Sequence, residues 1–270
     1  MWYRDAEQFM KESGHNVNGQ WFPRVTKILS IKSKPAIDMF MKEMESYAAA
    51  EEVKMRSAEE GTRVHEAIQK TAVGEPYMVT EEMRPVVEAF EEFNKTRNIF
   101  FHPEFVERSI WSGIHKYSGT VDALASIDGK FGVLDIKTST GFYSDYNLQT
   151  AAYVLALQER EVKNSLALPK DIQTRWILRV DQVKNCMRCG STLREKGGRN
   201  KVRTAWQGRN AAPAKNCGSA HGDHFWGPTK GVVELREFPY PYRDIKAFLA
   251  AKTLWEWEND YWLRQIGYLI

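Results

Sequence analysis

The 270-residue sequence has no run of about 18 apolar residues, the length a helix needs to cross a bilayer. Residues 1–13 alternate charged and apolar side chains, without the hydrophobic centre of a secretory signal. A soluble, intracellular protein with no membrane partner is therefore expected. Cysteine is scarce as well: Cys186, Cys189 and Cys217 are too few and too clustered for the disulfide framework of a small secreted fold, so a reducing compartment is expected. Internal repeats and low-complexity tracts, which would announce a solenoid or a disordered chain, are missing. What is there, 43% hydrophobic and 27% charged residues, matches one ordinary globular domain with a small insertion or appendage.

The net charge of +3 hides an asymmetry. Residues 184–230 hold ten Lys and Arg against only Glu195 and Asp223, which leaves 28 basic and 33 acidic residues for the rest of the chain. A basic block of this kind suggests a polyanionic partner, although a solvated basic loop accounts for the charge equally well.

Residues 1–100 read as mainly helical, with an entry segment Trp21-Phe22-Pro23-Arg24-Val25-Thr26. Pro35 suits the first turn of a helix, and Ala, Glu and Met with apolar positions at helical spacing carry that pattern to about residue 71, interrupted at Gly61. Thr80, followed by Glu81 and Glu82, is the expected N-cap of a helix to about residue 97 with Val86, Val87, Phe90 and Phe93 on its apolar face. Strands are expected over 105–111, 118–127 and 130–138, then a helix over 144–159 with Leu148, Ala152 and Leu155 on one face. Strands over 174–180 and 231–238 bracket the basic segment, of which 190–216 looks least regular, and an aromatic-rich helix over 242–262 closes the chain.

Asp128-Gly129 between two strand-like runs signals a two-residue hairpin. In that register Ile127 faces Lys130, Asp122 lies opposite Asp135, and Thr120 faces Lys137. Alternation puts Asp135 on one face with Val133 and Lys137, and Leu134 and Ile136 on the other. Opposed carboxylates repel unless exposed or shifted in register. Val121, Ala123, Leu124, Val133, Leu134 and Ile136 argue for a buried sheet instead, where the pair needs a cation or a shared proton. Mg²⁺ or Mn²⁺ is the cation that suits oxygen ligands, with Lys137 beside it to hold an anionic oxygen or orient a water.

These residues fall in an ordered series: Gly61-Thr62-Arg63-Val64-His65-Glu66, Gly119-Thr120-Val121-Asp122, Leu134-Asp135-Ile136-Lys137-Thr138-Ser139 and Gln149-Thr150-Ala151-Ala152-Tyr153. The series, over roughly residues 60–155, resembles the PD-(D/E)xK nuclease superfamily in its RecB-like branch. Flanking segments such as Arg24-Val25-Thr26-Lys27-Ile28-Leu29 look like those of single-strand exonucleases of the mitochondrial genome maintenance type and of phages, which leaves a phage or mitochondrial-type origin open. The resemblance implies a restriction-endonuclease-like core and metal-dependent DNA hydrolysis, from single-stranded ends. It also implies Asp122 and Asp135 as metal-binding carboxylates, Lys137 as the catalytic lysine, and His65 and the Ile136 backbone carbonyl as further metal ligands. Gln149 and Tyr153 match its Gln-x-x-x-Tyr motif and would contact nucleic acid or brace the site. Val121 replaces the namesake proline. All three cysteines follow the core, so the iron–sulfur cluster of some RecB-like nucleases is not expected. A structure-selective endonuclease and a non-catalytic nucleic-acid-binding protein on the same scaffold are the rival readings.

Cys186-Met187-Arg188-Cys189 is a Cys-x₂-Cys knuckle, followed by Cys217 and then by His221 and His224. Three thiolates and one imidazole, from His221 or His224, would complete a tetrahedral zinc site in a segment with little apolar core of its own. Trp206, Phe225 and Trp226 would then offer faces for base stacking. The expected architecture is an α/β fold, a central mixed β-sheet flanked by helices, with residues 1–100 a mainly helical N-terminal part, 101–183 and 231–270 the nuclease core and closing helix, and 184–230 a basic Cys/His insertion.

Overall fold

The computed structural model describes residues 3–33, 35–204, 217 and 223–269. Helix α1 (Ala6–Ser13) starts where the Asp5 carboxylate accepts the Gln8 amide at 2.8 Å. A ribbon of β1 (Gly14–Val17) and β2 (Gln20–Pro23) and the single turn α2 (Val25–Ile28) follow. The long Ala- and Glu-rich stretch forms two helices, α3 (Pro35–Glu43) and α4 (Tyr47–Val73), parted at Ser46, whose hydroxyl caps the second through the Ala49 amide. Contrary to the sequence expectation, Gly61 does not interrupt α4. A methyl group there would stand 2.7 Å from Thr138 Oγ1, so glycine lets the helix pass close to the strand end that carries Lys137. Helix α5 (Arg84–Arg97) begins later than Thr80 suggests, because the Thr80 carbonyl is taken by the Met83 and Arg84 amides in a turn and Pro85 fills the first helical turn.

The strands are β3 (Phe100–Phe101), β4 (Arg108–Ser112), β5 (Tyr117–Val121), β6 (Ala123–Ile127) and β7 (Lys130–Lys137). The β6–β7 hairpin has the register its two-residue loop dictates, from Ile127 opposite Lys130 to Ala123 opposite Leu134, with positive φ at Asp128 and Gly129. The expected unbroken strand over 118–127 divides at Asp122. Upstream of it β5 leaves β7 and pairs with β4, so Thr120 faces Ser109 and not Lys137. The break is held by hydrogen bonds that replace a continued ladder: the Asp122 carbonyl accepts Gln69 Nε2 and the Glu107 amide, and its carboxylate accepts the Ile136 amide.

Helices α6 (Ser144–Leu157) and α7 (Arg160–Leu166) cross over to β8 (Thr174–Cys186), which runs parallel to β7. Strand β8 outruns the expected 174–180 and enters the basic segment. The described part of that segment up to residue 204 is more regular than the composition suggests, for β9 (Thr192–Lys196) and β10 (Arg199–Arg203) form a hairpin with positive φ at Gly197 and Gly198, and residues 205–216 lie outside the described residues. Strand β11 (Trp226–Glu237), starting ahead of the expected 231, returns antiparallel along β8. The closing helix is two, α8 (Tyr242–Glu258) and α9 (Asp260–Gln265), separated at Asn259.

Among the described residues the main sheet has seven strands in the order β10-β9-β8-β7-β6-β3, with β11 also on β8. Only β7 and β8 pair in parallel, which makes the sheet mixed. Since β11 occupies one edge of β8, β7 and β9 lie one after the other along its second edge, and the end of β7 meets β9. Strand β7 alternates between two cores. Phe131 and Val133 join the side built by α6, α8 and the N-terminal elements, whereas Leu134 and Ile136 join Ile68 of α4 and Val86 and Phe90 of α5. Helices thus flank both faces of a central mixed sheet. Among the described residues no helix is long and apolar enough to cross a membrane.

Candidate active site

Helix α4 brings His65 and, one turn later, Gln69 against the break at Asp122. His65 Nε2 lies 2.9 Å from Asp122 Oδ2, and the same oxygen accepts the Ile136 amide at 2.7 Å. Glu107, held at a φ of 49° just ahead of β4, places Oε1 3.8 Å from His65 Nδ1 and accepts Gln69 Nε2 at 2.6 Å. One ligand atom from each of His65, Glu107 and Asp122 lies within 4.8 Å of the others. Sequence reasoning missed Glu107 and Gln69. The i,i+4 spacing of His65 and Gln69 was a usable signal. Glu107 had none, because its place depends on β4 pairing with β5.

The expected face-to-face carboxylates are divided between two partners. Asp122 turns toward His65, while Asp135, on the opposite face of β7 from Leu134 and Ile136, is fully buried with Lys137 Nζ 2.7 Å from its Oδ2. Apart from the Lys137 ammonium, neither Asp135 oxygen has a hydrogen-bond donor among the described residues. Burial pushes the Asp135 carboxyl up to about 6, against the pull of the Lys137 ammonium. Asp122 stays below the usual carboxylate range because the His65 hydrogen bond and the Lys137 charge outweigh its burial. Burial alone would lower both cations, yet Lys137 is raised by Asp135 and Asp122, and His65 by its hydrogen bond and charge contact with Asp122. The Lys137 ammonium also stands 5.2 Å from the Tyr146 ring centroid.

The two carboxylates and the imidazole of Asp122, Glu107 and His65 are a donor set that fits a hard divalent cation, and the buried Asp135 carboxylate lies near enough to feel the charges of Asp122 and His65. A strand residue presents its N–H and C=O to the same edge. The Ile136 carbonyl therefore faces the side its amide faces, where the ladder to β6 has ended at Asp122.

Gln149 Nε2 donates to Tyr153 Oη at 2.9 Å. Tyr153 is buried, and its ring fills the space a side chain at Gly119 would occupy, with Cε1 2.6 Å from that position, which makes the tyrosine a brace under β5. In the insertion, ligand atoms of Cys186, Cys189, Cys217 and His224 lie within 4.8 Å of one another. His221 and Trp206 lie outside the described residues. Between α3, α4 and the β9–β10 hairpin runs a cleft of about 280 Å³ lined by Lys54, Arg194, Lys196, Arg199 and Lys201, with Thr140 on its wall. Lys54, Arg194 and Arg199 pair with Glu51, Asp181 and Glu43, whereas Lys196 and Lys201 make no ion pair among the described residues. Lys196 donates instead to the Thr138 carbonyl at 2.6 Å, one residue past Lys137.

A scan against protein-family models finds no match, and neither does a search of curated proteins.

Proposed function

We propose that the chain is a divalent-metal-dependent nuclease of the PD-(D/E)xK, RecB-like type that hydrolyses DNA phosphodiesters, taking its substrate from single-stranded ends. The observation that carries this reading is the His65–Asp122–Glu107 group, whose ligand atoms lie within 4.8 Å of one another, with the fully buried Asp135–Lys137 pair near enough to feel the charge of Asp122. Asp122, Asp135, His65, Glu107 and the Ile136 carbonyl would hold Mg²⁺ or Mn²⁺. When bound, such an ion supplies Lewis-acid polarisation of a phosphoryl oxygen and a water of lowered pKa. Lys137, kept protonated by Asp135 and Asp122, acts as a fixed positive charge for the phosphate oxygens as negative charge builds on them, and not as a proton acceptor. Gln69 holds Glu107 and the Asp122 carbonyl in place, and Tyr153 braces β5 from below. The cleft with Lys196 and Lys201 lies next to the strand end that carries Lys137, and would lead a phosphate backbone toward it without reading bases.

The test uses end-labelled single- and double-stranded DNA and circular single strands, with Mg²⁺, Mn²⁺ or chelator. Linear single strands should be degraded with either ion, faster than blunt duplex, and circles should survive. Cleavage that persists in chelator, or in Asp135→Asn, overturns the site, and cleavage of circles turns the reading toward an endonuclease.

A further inference from the structure

We infer that Cys186, Cys189, Cys217 and His224 bind one Zn²⁺, a structural ion that fixes the root of the β9–β10 hairpin. A tetrahedral zinc with bonds of about 2.3 Å to sulfur and about 2.0–2.1 Å to nitrogen needs sulfur–sulfur edges of about 3.8 Å and sulfur–nitrogen edges of about 3.6 Å. Cys186 Sγ and Cys217 Sγ stand 3.9 Å apart, and Cys189 Sγ and His224 Nδ1 3.5 Å apart. All three cysteines are free thiols. Three thiolates and one imidazole select zinc, and four protein ligands leave no open position for a substrate, so the site is closed and non-catalytic.

Its surroundings are built as a metal knuckle. The Arg188 and Cys189 amides point at the Cys186 sulfur, Gly190 donates to the Cys186 carbonyl at 2.9 Å, and Gly190 has a φ of 72°. The His224 ring stacks on Trp226 at 4.6 Å, which orients Nδ1 toward Cys189. Cys186 and Cys217 are buried, and among the described residues of 184–230 Leu193 is the one other buried apolar side chain. A metal is what gives such a segment a fixed shape.

The four ligands join three separate stretches of chain. Cys186 ends β8 and pairs with Trp226 of β11, Cys189 lies in the turn toward β9, His224 leads into β11, and Cys217 comes from between β10 and β11. The hairpin held there reaches the strand end after Lys137 through Lys196 and Arg194, both donating to the Thr138 carbonyl, and reaches α4 through the Gly197 amide on Glu60 at 2.9 Å. Zinc therefore orders the wall of the basic cleft from a distance. The assignment of the ion does not rest on the nuclease reading.

Elemental analysis of the purified full chain should find one zinc per chain that survives dialysis against Mg²⁺. Replacement by Co²⁺ should give a thiolate charge-transfer band and the intense visible bands of a tetrahedral ion. His224→Cys should keep the metal and shift those bands, while Cys189→Ser and His224→Ala should weaken zinc binding at least tenfold. Asp135→Asn should keep its zinc, which separates this result from any failure of the nuclease site. Amide exchange in residues 192–203 should speed up when a strong chelator removes the ion. Wild-type protein without zinc, a cobalt spectrum without a thiolate band, or unchanged affinity in both ligand variants overturns the site. Unchanged exchange in the hairpin overturns its structural role.

Discussion

Asp122 and Asp135 each lie one position beyond the last β6–β7 pair, Ala123 opposite Leu134, yet their surroundings push them in opposite directions. The folded, metal-free protein holds a proton on Asp135 between its ordinary 3.8 and about 6, so this residue makes stability fall as pH rises through that window. Asp122 is lowered, so its contribution is present at neutral pH and is lost as pH falls. Asp135→Asn is accordingly expected to raise the apo-protein's stability at pH 7, by on the order of 2–3 kcal/mol for a shift of about two units, and Asp122→Asn to lower it. Thermal melts in chelator between pH 5 and 8 decide, and an Asp135→Asn protein that melts below wild type contradicts the account. His65 and Lys137 are separable too. Calorimetric titration of Mn²⁺ should show His65→Ala losing more than the roughly 10–100-fold that loss of an outer partner costs, with Lys137→Ala near wild type in affinity but without turnover.

Among the elements, the approach of α4 to the end of β7 sets the site, and Gly61 is where the two come closest. Valine there would drive a side chain into Thr138, whose hydroxyl also accepts Lys196 Nζ at 3.0 Å. Gly61→Val should cost about 1–3 kcal/mol by overpacking and lower turnover by moving the strand end. Adding Thr138→Ala should restore part of the stability, which urea unfolding of the single and double variants would read as a coupling energy. Additive losses would mean that the two positions do not press on each other.

For the whole molecule, charge decides. Burial, helped by nearby Arg194, brings Lys196 down to about 8. Its charge is therefore disfavoured in the fold, so stability rises as pH climbs from about 8 toward the ordinary Lys value, while the charge offered to phosphate disappears over the same range. Single-strand binding should weaken through pH 8 in wild type and not in Lys196→Met. Lys201→Ala should reduce the slope of log affinity against log salt by about 0.7, the value for one phosphate contact on a single strand. Fluorescence anisotropy with labelled oligonucleotides measures both, and slopes identical to wild type would take these lysines out of the interface.

The β6–β7 register was legible from Asp128-Gly129 alone, because a two-residue loop leaves one pairing and side chains alternate strictly. The same alternation separated Asp135 from Leu134 and Ile136, and the basic Cys/His segment stood out by composition. The break at Asp122 was not legible: strand propensity runs through 118–127, and the break is held by Gln69, Glu107 and Ile136, from three other parts of the chain, which satisfy its backbone and carboxylate. Glu107 enters the site for the same reason, and Gly61 looks like a helix breaker until β7 lies beside it. Local patterns depend on neighbours in sequence and can be read there. Partners brought together across the fold depend on contacts between elements distant in the chain, and those exist only once the sheet has closed around them.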